Sequence, residues 1–406
     1  MIENGIFSKR ALWLIPCAAV LCVYAAIVAG LLIVNNGPGS WPMASIDFVA
    51  IWAGGHQALQ TGASSAYGLS ALADIQTATV GTLDGHQPFA YPPSFLLLVA
   101  VPLGMLPYFP AFLIWQALTL CLFAGAIYLI VPRWEAVIVA LAFPPVFWNV
   151  IDGQMALLFG ALLGASLAVL DRRPVLAGIL FALLTFRPQL GILIPLVLMA
   201  TGRWRAFGSA AAATLCLVAV SSLFFGFDAW PSFLAYAPEQ FRQVLLDSTA
   251  SGNWTKLQSV YCLVRWLGGD QSLAWQVHIA VSALAALLVV WVWTRPFRYE
   301  LKAASLILGA AIVNPYFFFY DLIALAVAAA FLVTDGLKHG FVRFERTAFA
   351  VIAVAGFVFV WHALPTGPAM VAVIATIIAA RMRLKPGIGK SRRMAATLLP
   401  IVAGSP

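Results

Sequence analysis

The most constraining feature of this sequence is a series of long apolar segments separated by short polar turns. Of the 406 residues, 63% are hydrophobic and 9% are charged, whereas soluble domains carry roughly 25% charged residues. A helix needs about 20 consecutive apolar residues to cross the hydrocarbon core of a bilayer. The pattern therefore predicts an integral membrane protein, and it excludes a soluble enzyme, a disordered protein and a nucleic-acid-binding protein.

The apolar segments predict an all-α polytopic membrane protein with about twelve transmembrane helices in a single domain, residues 1–406. The first segment is too long for a signal peptide and is followed by Asn-Asn-Gly-Pro-Gly, so it counts as a span. The predicted spans are 11–34, 110–131, 136–150, 155–170, 175–186, 190–200, 206–226, 272–293, 303–313, 317–334, 347–362 and 368–380.

Basic residues set the orientation of these spans, because cytoplasmic loops collect Lys and Arg. With the N-terminus inside and the spans alternating, all basic residues except Arg187, Arg242, Lys256 and Arg265 fall on the inner side. Acidic residues show the opposite bias. We therefore expect both termini to lie in the cytoplasm.

One further apolar segment, 93–107, does not fit this alternation. If it crossed the membrane, every later loop would change sides and most basic residues would lie outside. Its prolines suit a broken helix at the membrane surface. We expect a re-entrant or juxtamembrane segment on the outer side, and an ordinary span is the alternative.

The unusual polar residues share the outer side of this topology. The first periplasmic loop is 35–92, and the second large periplasmic loop is 227–271. Ionisable groups at membrane depth are costly and are by default functional candidates, so we expect an outward-opening polar cavity. The candidate residues are Asp47, His56, Tyr91, Asp152, Gln154, Arg187, Gln189, Lys256, Arg265, Asn314, Tyr320 and Asp321.

Several candidates also have a plain structural interpretation. Asp47 precedes a helical stretch and Asp152 precedes Gly-Gln, so either carboxylate could be a helix cap. Arg187 is harder to explain as a purely structural residue, because it is a permanent cation at the tip of a short hairpin, from which it cannot reach the inner surface. Asp321 could simply pair with Arg187 or with Arg265.

A carboxylate beside fixed cations suits a phosphate-linked lipid substrate. Arg or Lys would hold the phosphate, and the carboxylate would take a proton from an incoming hydroxyl. The sequence contains no H-E-x-x-H, G-x-S-x-G or P-loop motif, and no glycine-rich nucleotide fingerprint. We expect neither a cofactor nor a metal, because protein cations can stabilise a lipid monophosphate leaving group; Asp152 and Asp321 are the alternative metal ligands.

A set of short motifs follows in order along most of the chain. The first is Asp47-Phe-Val-Ala-Ile-Trp-Ala-Gly-Gly-His56, one loop beyond the first span. The others are Ala66-Tyr67, Phe89-Ala-Tyr91-Pro92-Pro93, Pro102-Leu-Gly-Met-Leu-Pro107, Asp152-Gly-Gln154, Leu176-Ala-Gly178, Phe186-Arg187-Pro188-Gln189, Arg203-Trp204-Arg205-Ala206 and Asn314-Pro315-Tyr316. Together they resemble family 87 of the glycosyltransferases, in the GT-C superfamily.

The resemblance implies a GT-C-like bundle that moves a hexose, often mannose, from a polyprenyl-phosphate donor to a lipid or glycan acceptor. The reaction would take place on the periplasmic side of a bacterial inner membrane, with inversion of the anomeric carbon and Asp47 as the base. Arg187 stands where the family usually has Lys and would bind the donor phosphate, helped by Lys256 or Arg265. The late Tyr320-Asp321 pair leaves the identity of the sugar open.

Two other classes of protein stay open. A transporter or flippase of lipid-linked sugars suits many spans with intramembrane charges, but it should show internal repeats and a polar path to the inner face. A polysaccharide polymerase or ligase would concentrate several Arg and His residues in one large outer loop. The aspartate in the first outer loop is the stronger feature here, so the sequence favours the transferase.

Overall fold

The computed structural model describes residues 4–34, 46–81, 87–242, 245, 256–362 and 364–383. Within these ranges the chain is helical, apart from turns and one bridge between Leu257 and Phe318. The helices are α1 (Asn4–Val34), α2 (Ile46–Thr61), α3 (Leu69–Val80), α4 (Pro93–Gly104), α5 (Tyr108–Ile130), α6 (Trp134–Leu141), α7 (Pro144–Asp152), α8 (Ala156–Val169), α9 (Pro174–Leu183), α10 (Pro188–Ala200), α11 (Trp204–Phe225), α12 (Ala229–Phe241), α13 (Val260–Trp266), α14 (Gln271–Thr294), α15 (Tyr299–Val313), α16 (Phe319–His339), α17 (Glu345–His362) and α18 (Thr366–Met382).

The predicted apolar segments all fall on these helices, which confirms the all-α class. Among the described residues, α5, α11, α14 and α16 are each long and apolar enough to cross a membrane. Helices α6 and α7 pass the same test together, but they bend by 62° at the break between them. Several apolar helices thus indicate a membrane protein, whereas the count of about twelve crossings is not confirmed and stays a prediction.

Prolines set several of the breaks between helices. Pro144, Pro174 and Pro188 each occupy the first position of a helix, where the missing N–H costs nothing. Arg187 precedes such a proline and has φ −135° and ψ 79°, because a following proline disfavours helical backbone. The sequence therefore places Arg187 in the break between α9 and α10.

The helix that carries Asp47, α2, packs backbone to backbone against α4. A Cβ on Gly55 would lie 1.8 Å from the Ala100 carbonyl oxygen, and a Cβ on Gly104 would lie 2.4 Å from the His56 nitrogen. The Trp52 indole also donates a hydrogen bond to a carbonyl just beyond α4, at 2.9 Å. Helix α4 occupies most of the predicted segment 93–107 and is shorter than a span requires. It forms the support on which α2 rests.

A buried ionic cluster joins four helix ends at the end of α16 that is far from Asp321. Arg381 of α18 is fully buried and donates to Asp335 of α16 at 2.5 Å and to Glu345 of α17 at 2.6 and 2.8 Å. Arg298, which precedes α15, pairs with Asp335 at 3.1 Å. Breaking a buried ion pair is strongly destabilising, so this cluster fixes the relative positions of α15–α18.

Gly55→Ala is expected to destabilise the protein by about 1–3 kcal/mol, the usual cost of overpacking, because the new methyl group would meet the Ala100 carbonyl. The measurement is the unfolding temperature of the purified protein in detergent. Gly125→Ala in α5 is the matched control, since nothing lies within 4 Å of a Cβ there. Equal unfolding temperatures for the two variants would contradict the close approach of α2 and α4.

Candidate active site

Gln154 lies in the turn between α7 and α8, and the local backbone holds it in place. Gly153 adopts a left-handed conformation with φ 66°, which lets the chain reverse after α7. The Asn149 side chain donates to the Gln154 carbonyl at 2.6 Å and accepts from the Leu157 N–H at 3.1 Å. The Met155 N–H donates to Gln154 Oε1 at 3.0 Å. These bonds aim the buried amide of Gln154 at neighbouring elements.

The Gln154 side chain connects three parts of the chain that are distant in sequence. It lies close enough to the carboxylate of Asp47 on α2 to lower the pKa of that group. Its Oε1 accepts from the Tyr91 hydroxyl at 3.4 Å, and its Nε2 donates to the Tyr320 hydroxyl at 3.2 Å. The Tyr67 hydroxyl in turn donates to the Tyr91 carbonyl at 3.1 Å. Three other sequence-predicted residues, Asp47, Tyr91 and Tyr320, therefore lie around the Gln154 amide.

Asp47 is half-buried in the first turn of α2, and its side chain faces Gln154. Helix α2 begins at Ile46, so the interpretation of Asp47 as the N-cap is wrong. Burial raises the pKa of the Asp47 carboxyl above its ordinary value, although Lys256, Gln154 and Arg187 act to lower it. A carboxylate with a raised pKa beside cations is suited to accepting a proton.

Arg187 and Asp321 form a buried, bidentate ion pair. Arg187 Nη1 and Nη2 donate to the two carboxylate oxygens at 2.6 and 3.2 Å, and the residues are 7% and 3% exposed. The Phe318 N–H also donates to Asp321 Oδ2 at 3.0 Å. The guanidinium carbon lies 5.9 Å from the centre of the Phe159 ring and 6.0 Å from that of Tyr320. Of the two partners suggested for Asp321, the structure shows Arg187.

Two further charged groups lie within electrostatic range of Asp47. They are Asp152, the last residue of α7, and Lys256, and both are half-buried. Because Asp152 ends α7 and Met155 is the N-cap of α8, the interpretation of Asp152 as the cap of the next span is wrong. We call Asp47, Asp152, Arg187, Lys256 and Asp321 the charged centre.

Other predicted residues have separate contacts. His56 stacks on Trp52 with ring centroids 4.7 Å apart and hydrogen-bonds the Gly104 carbonyl at 3.2 Å, so it fastens α2 to α4. Arg265 donates to the Gly269 carbonyl at 3.1 Å, just beyond its own helix. Buried Asn314 accepts from the Tyr316 N–H at 2.9 Å.

Gln189 is half-buried in the first turn of α10. For Gln189, His56, Arg265 and Asn314 the predicted role in substrate binding stays a prediction.

The sequence did not single out Asn149, which holds the turn that contains Gln154. Its position in Asn149-Val-Ile-Asp-Gly-Gln154 was a usable signal.

No group of three or more His, Cys, Asp or Glu side chains in the described ranges is placed to hold a metal ion. Two cations, Arg187 and Lys256, lie among the carboxylates of the charged centre. Both would repel a divalent metal ion, whereas either can interact with an anion.

The sequence model of glycosyltransferase family 87 matches residues 89–315, which is more than half of the chain. The chain belongs to glycosyltransferase family 87. No curated protein and no solved structure matches the chain. The predicted family resemblance is thus confirmed, and the protein is a glycosyltransferase that uses a sugar donor and an acceptor.

The family match covers only part of the charged centre. It contains Asp152, Arg187 and Lys256, whereas Asp47 lies before it and Asp321 after it. The structure adds these two carboxylates, because Asp47 lies beside Gln154 and Asp321 pairs with Arg187.

Arg187→Met is expected to destabilise the protein by about 3–5 kcal/mol, because it leaves the buried Asp321 carboxylate without its cation. The double variant Arg187→Met/Asp321→Leu removes both charges and should recover most of that loss. The measurement is again the unfolding temperature in detergent. A double variant no more stable than Arg187→Met would show that the pair does not act as a unit.

Proposed function

We propose that this family 87 protein transfers a hexose from a polyprenyl-phosphate donor to an acceptor hydroxyl on the periplasmic side of a bacterial inner membrane. The observation that carries the proposal is the charged centre, in which Asp47 lies near Gln154, Arg187 and Lys256. This arrangement supports a role for the carboxylate as the base and for the two cations as phosphate ligands.

The proposed reaction is a single displacement. Arg187 and Lys256 bind the phosphate of the donor and stabilise the negative charge that grows on it as the bond to the sugar breaks. Asp47 accepts the proton of the acceptor hydroxyl while the oxygen attacks C1 from the opposite face. The C1–O bond to phosphate breaks with its electron pair on the leaving polyprenyl phosphate, so the configuration at C1 inverts.

The uncharged groups around Gln154 are proposed to bind the sugar. The hydroxyls of Tyr91 and Tyr320 and the amide of Gln154 are hydrogen-bonded to one another, and such groups can exchange those bonds for bonds to sugar hydroxyls. Mannose is one candidate among the hexoses, and a lipid or a glycan is the candidate acceptor.

The lipid chain of the donor is proposed to approach along α4. This helix packs on the Asp47 helix, and it exposes Leu98 and, just beyond its end, Met105. Apolar side chains of this kind suit contact with an isoprenoid chain. The donor phosphate would then enter the charged centre between α2 and α10.

Asp47→Asn should slow transfer strongly while leaving donor binding intact, because asparagine keeps the shape but cannot accept the proton. The expected loss in kcat is about 10²–10⁴-fold, the usual contribution of general base catalysis. The assay uses purified protein, a panel of labelled polyprenyl-phosphate hexoses and a membrane-lipid extract. Asp74→Asn, an exposed aspartate on α3, is the control. Transfer that survives Asp47→Asn would move the base to Asp152 or Asp321.

The activity is also expected to depend on pH through Asp47. The carboxylate must be ionised to act as a base, so kcat/KM should fall as the pH decreases through its raised pKa. Lys256→Met removes a cation that lowers this pKa. The acidic limb of the pH profile, which is the range where kcat/KM falls, should therefore move to higher pH. Arg172→Gln, exposed in the turn after α8, should leave the limb in place. A limb unmoved by Lys256→Met would exclude the interaction between Lys256 and the base.

A further inference from the structure

The charged centre contains more carboxylates than cations. When all groups are ionised, Asp47, Asp152 and Asp321 outnumber Arg187 and Lys256 by one negative charge. A polyprenyl-phosphate donor would bring another negative charge into the same buried space, where Coulomb repulsion is stronger than in water. An anion can therefore bind well only if one carboxylate gives up its ion pair, so that the released cation can pair with the anion.

Asp321 is the carboxylate that holds such a cation. It occupies two N–H groups of the Arg187 guanidinium in the bidentate geometry that arginine also uses for phosphate. Asp47, in contrast, lies beside the neutral Gln154 side chain. The internal carboxylate and the phosphate of the lipid would therefore compete for the same donors.

The contacts of Asp321 allow it to release Arg187 without losing every partner. Its Oδ2 also accepts from the Phe318 N–H at 3.0 Å, a bond that does not involve the guanidinium. The carboxylate further lines a small cavity together with Phe317 and Ala324, so there is space beside it for a small displacement. Arg187, for its part, lies at a break between helices rather than within one.

We propose that Asp321 is an internal counter-ion that competes with lipid phosphate for Arg187 and thereby promotes release of the polyprenyl-phosphate product. This inference rests on the proposed function. Asp321 neutralises Arg187 in the empty enzyme, and the donor phosphate displaces it. The product is a phosphate monoester with more negative charge than the donor diester, so it would bind Arg187 more strongly. Return of Asp321 to the guanidinium offsets that attraction.

The test variant is Asp321→Asn, which keeps the size and the hydrogen-bond acceptor but loses the competing charge. Its affinity for a short-chain polyprenyl phosphate, measured by calorimetry on the purified protein, should rise about tenfold. The first turnover should proceed at close to the wild-type rate, while steady-state kcat falls because product leaves slowly. Asp321→Glu keeps the charge that pairs with Arg187, so its affinity for polyprenyl phosphate should not rise.

Asp152→Asn is the control that separates competition from net charge. It removes one negative charge from the same centre, but Asp152 is not the partner of Arg187. Equal tightening in Asp152→Asn and Asp321→Asn would overturn the proposal in favour of a general charge effect. Asp321→Ser is the second neutral variant, to be used if Asp321→Asn does not fold.

The remaining outcomes distinguish this inference from the proposed function. If wild type binds polyprenyl phosphate and neither neutral variant binds it more tightly, the counter-ion role is overturned and the proposed function stands. If wild type does not bind polyprenyl phosphate at all, the proposed donor class fails and the counter-ion role fails with it.

Discussion

An unpaired guanidinium buried in an apolar helix bundle strongly destabilises a protein, and in this protein Asp321 forms the ion pair that neutralises Arg187. The requirement fixes two distant breaks in the helical structure against each other, the one before α10 and the turn that begins α16. It also determines the chemistry of the site, because a cation kept ionised inside the bundle attracts phosphate. The same ion pair therefore supports the fold and contains the cation that we propose to bind phosphate.

The second constraint is geometric and concerns Asp47. This carboxylate lies outside the segment that defines the family match, and its position depends on how α2 rests on α4. Gly55 and Gly104 allow the two backbones to touch, and Gln154 then closes the gap between α2 and the α7–α8 turn. The carboxylate that we propose as the base is thus positioned by backbone contact between α2 and α4, and it lies beside the Gln154 amide.

Much of this arrangement could be predicted from sequence, because it depends on local chemistry. The apolar segments predict the helices, the proline after Arg187 predicts the break that contains it, and the cost of buried charge marks Arg187 and Asp321. The number of membrane crossings could not be settled in this way. Short apolar helices and the bent pair α6–α7 satisfy composition without reaching the length of a span.

The roles of individual polar residues were harder to predict, because they depend on contacts between distant parts of the chain. His56 follows Asp47 by nine residues and is predicted to bind substrate, and the sequence did not reveal that it also connects α2 to α4. Asn149 looked ordinary, but it holds the turn that presents Gln154. The pairing of Asp321 with Arg187 rather than Arg265 likewise required the three-dimensional fold.

The ionic cluster around Arg381 has a mechanical consequence for α16. This helix is about 30 Å long, with Asp321 in its first turn and Asp335 locked at its other end by Arg381 and Arg298. Tilting or sliding the helix would break several buried ion pairs at once. Any exchange of partners at Asp321 must therefore come from movement of the Asp321 side chain or of Arg187, because the far end of α16 is held in place.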